Sequence, residues 1–180
     1  LGSRLGPLTL NSPKAMLNYN EKEIILYQLD TLKELGINDI IVVVGYHSHV
    51  LIEFINKKYK NIKFVLNNMY ASTNSAYSLN CGVSEIKSES YIHINCDILF
   101  SKKLLSSLIN SSFKNIICAR NDLLLGDGME NIVVDEKDRI INMSIKKKDN
   151  SYQSTVRTKV TSSPNFASME KEKLGPMCAI

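Results

Sequence analysis

Apolar residues follow two different spacings along the chain, and together they predict a helix that leads into a buried strand. Over residues 23–35 the apolar positions recur with the period of a helix, and Gly36 follows where a helix ends in a left-handed residue. The run Ile40–Val44 is unbroken and β-branched and closes at Gly45, as in a strand buried on both faces.

The same alternation continues through most of the chain. Helices are predicted over residues 50–58, 74–83 and 102–108, and strands over residues 63–66, 91–95 and 115–119. This succession favours a mostly parallel sheet with helices on its faces. Residues 132–135 and 139–145, separated by a polar turn, predict an antiparallel hairpin. From residue 149 onward Ser, Thr and Pro break the periodicity, and no regular structure is predicted.

Composition narrows the classes of partner. The 180 residues carry a net charge of +4, and the single basic run is the lysine triplet at 146–148, so nucleic acid is not the expected partner. The four cysteines lie far apart with no C-x-x-C pair, so neither a structural zinc site nor a disulfide framework is indicated, and a reducing, cytoplasmic setting is favoured. The longest apolar run falls well short of the ~20 residues that span a bilayer, so we expect no membrane insertion. Among the histidines, His47 and His49 are expected in an exposed loop.

The start of the chain places a glycine turn and two cations in one loop. Gly2 and Ser3 offer backbone N–H groups that can approach an anion closely, and Arg4 and Lys14 can neutralise a polyphosphate. The alternative is an ordinary surface loop with two solvated cations, because a lone Gly-x-Arg is common.

Farther along, Asp97 follows an apolar strand, at the edge where parallel α/β sheets place their ligands. A carboxylate there suits Mg²⁺ bound to phosphate oxygens, although an Asp in this place is often only a helix cap. Asn74 offers an amide at a predicted helix start, where it either contacts a ligand or caps the helix.

Several motifs in order carry a family resemblance over residues 1–148. The chain reads LGSRLGPLT and then PK at its start, LDTLKELGINDI from residue 29, VVGY from residue 43, NNMYASTNSAYSL from residue 67, and CD at 96–97. This series resembles the nucleotidyltransferases that activate sugar phosphates and alcohol phosphates. The segment NSAYSL at 74–79 is similar to the branch of phosphocholine cytidylyltransferases.

The resemblance implies a fold and a reaction. The fold would be a three-layer, Rossmann-like (GT-A-like) α/β domain with a mostly parallel sheet. The enzyme would use a nucleoside triphosphate, with CTP favoured, and Mg²⁺ to transfer a nucleotidyl group to a small phosphorylated alcohol such as phosphocholine. The alternatives are transfer to a sugar 1-phosphate and a non-catalytic nucleotide-binding domain.

The resemblance also assigns site residues. Arg4 and Lys14 would be catalytic and Asp97 would hold the metal. The nucleotide-binding residues would be Gly2, Ser3, Gly45, Tyr46, Asn74 and Ser78.

Two departures from the family pattern set the expected domain boundaries. A run of the Lys-Ala-Ile-Ile-Leu-Ala-Ala-Gly kind, which forms the family's central strand, does not precede Leu1, so we expect two unpaired inner edges in the sheet. Residues 149–180 do not resemble the family's continuation. We therefore expect residues 1–148 to be a nucleotidyltransferase domain shortened at both ends, and residues 149–180 to be a poorly ordered tail.

Overall fold

The computed structural model describes residues 9–10, 12–120, 131–144, 152–161 and 177–179. The helices are α1 (Ile24–Glu34), α2 (Ser48–Lys58), α3 (Ser75–Val83) and α4 (Lys102–Ile109), with a 3₁₀ helix at Lys14–Met16. The strands are β1 (Asn18–Tyr19), β2 (Lys22–Glu23), β3 (Ile40–Val44), β4 (Ile62–Leu66), β5 (Tyr91–Ile94), β6 (Asn115–Arg120), β7 (Asn131–Val134), β8 (Ile140–Ser144), β9 (Tyr152–Thr161) and β10 (Met177–Ala179).

The helices and strands predicted from the first 145 residues are confirmed, with ends that differ by one or two residues. Gly36 follows α1 with a φ of +79°, the left-handed conformation that its position predicted. The hairpin of β1 and β2 was not predicted, because strands of two residues are too short to show a period. None of the helices in the described part of the chain is long and apolar enough to cross a bilayer.

The main sheet is mixed, with its strands in the order β4-β3-β10-β5-β9-β7-β8. β3 pairs in parallel with β4, and β10 pairs in parallel with both β3 and β5. β9 runs antiparallel to β5, β6 and β7, and the predicted hairpin of β7 and β8 is present. The parallel half of the sheet is therefore followed by an antiparallel half.

The middle of the sheet is occupied by β10. Cys178 lies opposite Ile41 of β3 on one side and opposite His93 of β5 on the other. The expectation of two unpaired inner edges is therefore wrong, because a strand from the far end of the sequence pairs with both. β9 and β10 are also two regular stretches in a segment for which the sequence pattern predicts none. The other residues of 149–180 lie outside the described residues.

Among the described residues, one apolar cluster joins α1, α2 and α4 to the sheet. All five residues of β3 are buried, as expected for a strand covered on both faces. Ile25, Leu29 and Leu32 of α1 are fully buried against the same cluster, to which α2, α4 and β5 also contribute. This packing fixes the carboxyl ends of β3, β4 and β5 relative to one another.

Asp30 joins three elements on the surface of α1. Its carboxylate accepts hydrogen bonds from Lys58 at 2.8 and 2.9 Å and from Tyr59, and pairs with Lys22 of β2 at 2.6 Å. Partial burial raises the pKa of this carboxyl, but the hydrogen bonds from Lys22, Lys58 and Tyr59 outweigh it and lower the pKa to about 2. The ionised form of Asp30 is therefore favoured by folding.

Candidate functional site

A pocket of about 220 Å³ opens at the carboxyl ends of the parallel strands. Its walls come from the end of β3 and the following Gly45 and Tyr46, from Asn67 after β4, and from Cys96 after β5. This is the edge at which open α/β sheets place their ligands. Of the residues predicted to bind nucleotide, the structure brings Gly45, Tyr46, Asn74 and Ser78 together in this pocket.

Lys14 lines the pocket and pairs with Asp97, which is 83 residues away in the sequence. The 3₁₀ helix presents Lys14, and the turn after β5 presents Asp97. Lys14 Nζ donates to Asp97 Oδ2 at 2.8 Å, and both side chains are about two-fifths exposed, at 37% and 42%. A cation and a carboxylate thus share one accessible edge of the pocket.

The charges at this edge follow from burial and proximity. Burial lowers the pKa of Lys14, but Cys96 and Asp97 beside it outweigh that effect, so its pKa lies above the ordinary value. Burial raises the pKa of the Cys96 thiol to about 11. The thiol is therefore uncharged at neutral pH, whereas Lys14 is protonated there.

Gly45 allows a close approach between β3 and the loop before α3. A Cβ on Gly45 would lie 2.6 Å from Cβ of Tyr70 and 2.9 Å from its Cγ. Tyr70 also lines the pocket, and its ring lies 6.3 Å from that of Tyr46. Glycine is needed here because a side chain would push Tyr70 away from this wall.

Tyr46 and His47 hold the loop that leads to Lys14. The Tyr46 hydroxyl donates to the carbonyl oxygen of Leu10 at 2.6 Å, and His47 Nε2 lies 3.2 Å from the same oxygen. His47 is half-buried at the start of α2 and has a φ of 49°, whereas the sequence predicted an exposed loop residue. The turn after β3 therefore holds Leu10, which precedes Lys14 in the chain.

Amide and hydroxyl side chains order the wall formed by α3. Asn67 Nδ2 donates to Ser78 Oγ at 2.9 Å in a buried hydrogen bond. Asn74 caps α3, since its Oδ1 accepts the backbone N–H of Tyr77 at 3.2 Å. The capping interpretation of Asn74 is thus confirmed, and the residue still lines the pocket.

Gln28 of α1 supports the turn that carries Asp97. Its Nε2 donates to the carbonyl oxygens of Asn95 and Ile98, both at 2.8 Å. Gln28 is 1% exposed in an otherwise apolar cluster. The sequence did not identify it, because the helical period marks the position only as buried.

Gly2, Ser3 and Arg4 lie outside the described residues, so their roles stay predictions. Asn67 was not assigned a role from the sequence. A signal was available for Asn67, since it directly follows the strand predicted over residues 63–66, at the carboxyl edge of the sheet.

In the described part of the chain no group of three or more His, Cys, Asp or Glu side chains could enclose a metal ion. Asp97 alone still fits Mg²⁺, which is commonly bound through one or two carboxylates together with substrate phosphates and water.

Comparisons with known proteins agree with this arrangement. A family model described as the MobA-like NTP transferase domain matches residues 1–129. A choline-phosphate cytidylyltransferase of Streptococcus pneumoniae is 37% identical over 145 residues, covering 76% of this chain and 61% of that protein. A CTP:phosphoglutamine cytidylyltransferase of Campylobacter jejuni is 36% identical over 115 residues, covering 61% of this chain and 45% of that protein.

A solved structure of the CTP:phosphocholine cytidylyltransferase from Streptococcus pneumoniae superposes with a TM-score of 0.64 at 27% identity. The match covers 92% of this chain and 68% of that one, and it confirms the predicted Rossmann-like nucleotidyltransferase fold. The chain spans about half to three-fifths of the length of the two curated relatives, at 45% and 61%.

Proposed function

Since the chain belongs to the MobA-like NTP transferase domain family, we propose that it transfers a nucleotidyl group from a nucleoside triphosphate to a small phosphorylated alcohol. The favoured donor is CTP and the favoured acceptor is phosphocholine, in line with the substrates named for the similar cytidylyltransferases. The observation that carries the proposal is the pair of Lys14 and Asp97 at the mouth of a pocket at the carboxyl edge of the sheet.

The reaction needs no covalent protein intermediate. A phosphate oxygen of the acceptor attacks the α-phosphorus of the nucleotide, a new P–O bond forms, and the bond to the β-phosphate oxygen breaks. Pyrophosphate leaves with the electron pair of that bond. The protein contributes position and opposite charge rather than a nucleophile.

Each pocket residue has a part in this proposal. Protonated Lys14 stabilises the negative charge that develops near the α-phosphate, and Arg4 with the backbone of Gly2 and Ser3 holds the outer phosphates. The walls formed by Gly45, Tyr46, Asn74 and Ser78 bind the nucleoside. At about 220 Å³ the pocket is smaller than the roughly 300–1,000 Å³ of sites that enclose drug-sized ligands, so it would hold part of the nucleotide.

Asp97 would hold Mg²⁺ in this proposal. A bound Mg²⁺ neutralises phosphate charge and orients the triphosphate. The contribution of the chain is an accessible carboxyl group that pairs with Lys14 and lies on the turn at the end of β5.

The test compares four nucleotides with two acceptors. CTP, UTP, GTP and dTTP are each incubated with Mg²⁺ and either phosphocholine or glucose 1-phosphate, and release of pyrophosphate is measured. Turnover with CTP and phosphocholine is expected. Turnover with the sugar phosphate alone would support the sugar-1-phosphate alternative, and nucleotide binding without any turnover would support a non-catalytic domain.

Lys14→Ala tests the role assigned to Lys14. The variant is expected to keep its fold, because the lost ion pair is partly exposed, and to lose about 100-fold or more in kcat. Lys57→Ala is the matched control, since Lys57 is 71% exposed and lies on α2. Wild-type turnover in natively folded Lys14→Ala would contradict the assigned role.

A further inference from the structure

We infer that Gln28 is a positioning residue for the reaction, acting through the turn that carries Asp97. This inference rests on the proposed function. Gln28 lies on α1 with its side chain fully buried, and its one amide nitrogen binds the carbonyl oxygens of Asn95 and Ile98.

The geometry fixes the orientation of the amide. Carbonyl oxygens accept hydrogen bonds and do not donate them, so the group that lies 2.8 Å from both oxygens is the NH₂ and not the oxygen of the side chain. Its two N–H groups are therefore both used on the turn. The side-chain Oε1 of Gln28 is buried with no hydrogen-bond partner among the described residues.

The unpaired oxygen of Gln28 has a cost that the apolar residues on the rest of this buried face, such as Ile25, Leu29 and Leu32, do not have. An apolar side chain at position 28 would in turn leave the carbonyl oxygens of Asn95 and Ile98 without these two donors. The stabilisation that glutamine provides is therefore specific to the turn, because its amide connects both ends of the turn to α1.

That connection determines where the carboxylate of Asp97 lies. Asp97 stands between the two residues whose carbonyls Gln28 holds, and its Oδ2 contacts Lys14 Nζ at 2.8 Å. Gln28 is not among the residues that line the pocket, and its side-chain amide donates to the turn rather than to the pocket. Its effect on the reaction is exerted through the position of Asp97, and hence through the binding of Mg²⁺ and the placement of Lys14.

The test replaces Gln28 by methionine, which has a similar length and no donor. Because displacement of a reacting group by about 1 Å can cost roughly 100-fold in rate, Gln28→Met is expected to lower kcat by about 10- to 100-fold. The Mg²⁺ concentration for half-maximal rate should rise severalfold, while the KM for CTP stays within about twofold. Leu29→Met is the matched control, a volume-conserving change at a fully buried site of the same helix, and it should leave both kcat and the Mg²⁺ dependence unchanged.

A second measurement does not depend on turnover. Backbone amide hydrogen exchange over residues 95–98 should become faster in Gln28→Met and stay at the wild-type rate in Leu29→Met. Unchanged exchange over these residues, or wild-type kcat and Mg²⁺ dependence in an active enzyme, would overturn the inference. If the wild-type protein turns over none of the four nucleotides, the proposed function fails, and the exchange rates still decide whether Gln28 holds the turn.

Discussion

Replacement of Gly45 by alanine tests the closest contact in the pocket wall. Carbon atoms in ordinary contact lie about 3.5–4.0 Å apart, whereas the new Cβ would lie 2.6 Å from Cβ of Tyr70. The overlap is about 1 Å, and Tyr70 Cβ cannot rotate away because it is attached to the backbone. The loop before α3 must shift, at a cost of about 1–3 kcal/mol, typical of overpacking.

The variant should therefore lose both stability and nucleotide affinity. Urea denaturation followed by circular dichroism measures the free energy of unfolding, and calorimetry with CTP measures affinity. We expect affinity to fall about tenfold, equivalent to ~1.4 kcal/mol, because Tyr70 is part of the pocket wall.

A double-mutant cycle separates the contact from other effects of the substitution. In a Tyr70→Gly background no Cβ stands opposite position 45, so Gly45→Ala should cost far less there than in the wild-type protein. The reasoning would be refuted if Gly45→Ala lowered the free energy of unfolding by less than about 0.5 kcal/mol and left CTP affinity unchanged.

Three further variants test other parts of the structure. Tyr46→Phe removes the hydroxyl that donates to Leu10 and should lower the free energy of unfolding, measured by urea denaturation, by about 0.5–1.5 kcal/mol. The control Tyr19→Phe, at an exposed tyrosine, should lower it little, and equal losses in the two variants would contradict the role of the Tyr46 hydroxyl. Since folding lowers the pKa of Asp30 from 3.8 to about 2, its stabilisation is complete above pH 4 and is lost as the pH falls to 2. The free energy of unfolding of Asp30→Asn should therefore be about 1–2 kcal/mol lower than that of the wild type at pH 7, after allowance for the 26% exposure of Asp30, and nearly equal to it near pH 2. A difference that does not change with pH would exclude the ionisation of Asp30 as its cause. Cys178→Pro removes a backbone N–H from β10, whereas Cys178→Ala keeps this N–H. The proline variant should unfold at a clearly lower urea concentration than the alanine variant. Equal midpoints of unfolding would argue against the position of β10 between β3 and β5.

Local patterns in the sequence were sufficient for the elements around the site. The β-branched run at residues 40–44 predicted β3, and the position of Asp97 after an apolar strand predicted a ligand at the sheet edge. The first loop of the sequence indicated Lys14, the resemblance to nucleotidyltransferases gave it a catalytic role, and the structure brings it within 2.8 Å of Asp97. The prediction of β3 is confirmed because it depends on residues that are neighbours in sequence. The roles assigned to Lys14 and Asp97 depend on a motif with fixed spacing and stay predictions, although the structure brings the two side chains together.

The features that were not predicted depend on contacts between distant parts of the chain. Gln28 binds carbonyl groups 67 and 70 residues away, and nothing in the helical period of α1 indicates which polar group would meet it. The hydrogen bond from Tyr46 to Leu10 joins two turns in the same way. β10 has three residues, too few for a period, and its place in the sheet is set by the partners that it finds.

The central position of β10 has a consequence for how the protein folds during synthesis. Cys178 pairs with Ile41, which leaves the ribosome well over a hundred residues earlier. Until residues 177–179 have been made, β3 and β5 each present an unpaired edge, the kind of surface that leads nascent chains to aggregate. Pairing over so long a separation also slows folding, because the entropy cost of closing the loop precedes any gain from contacts. The nascent chain therefore has an extended period in which chaperones or premature aggregation compete with completion of the sheet.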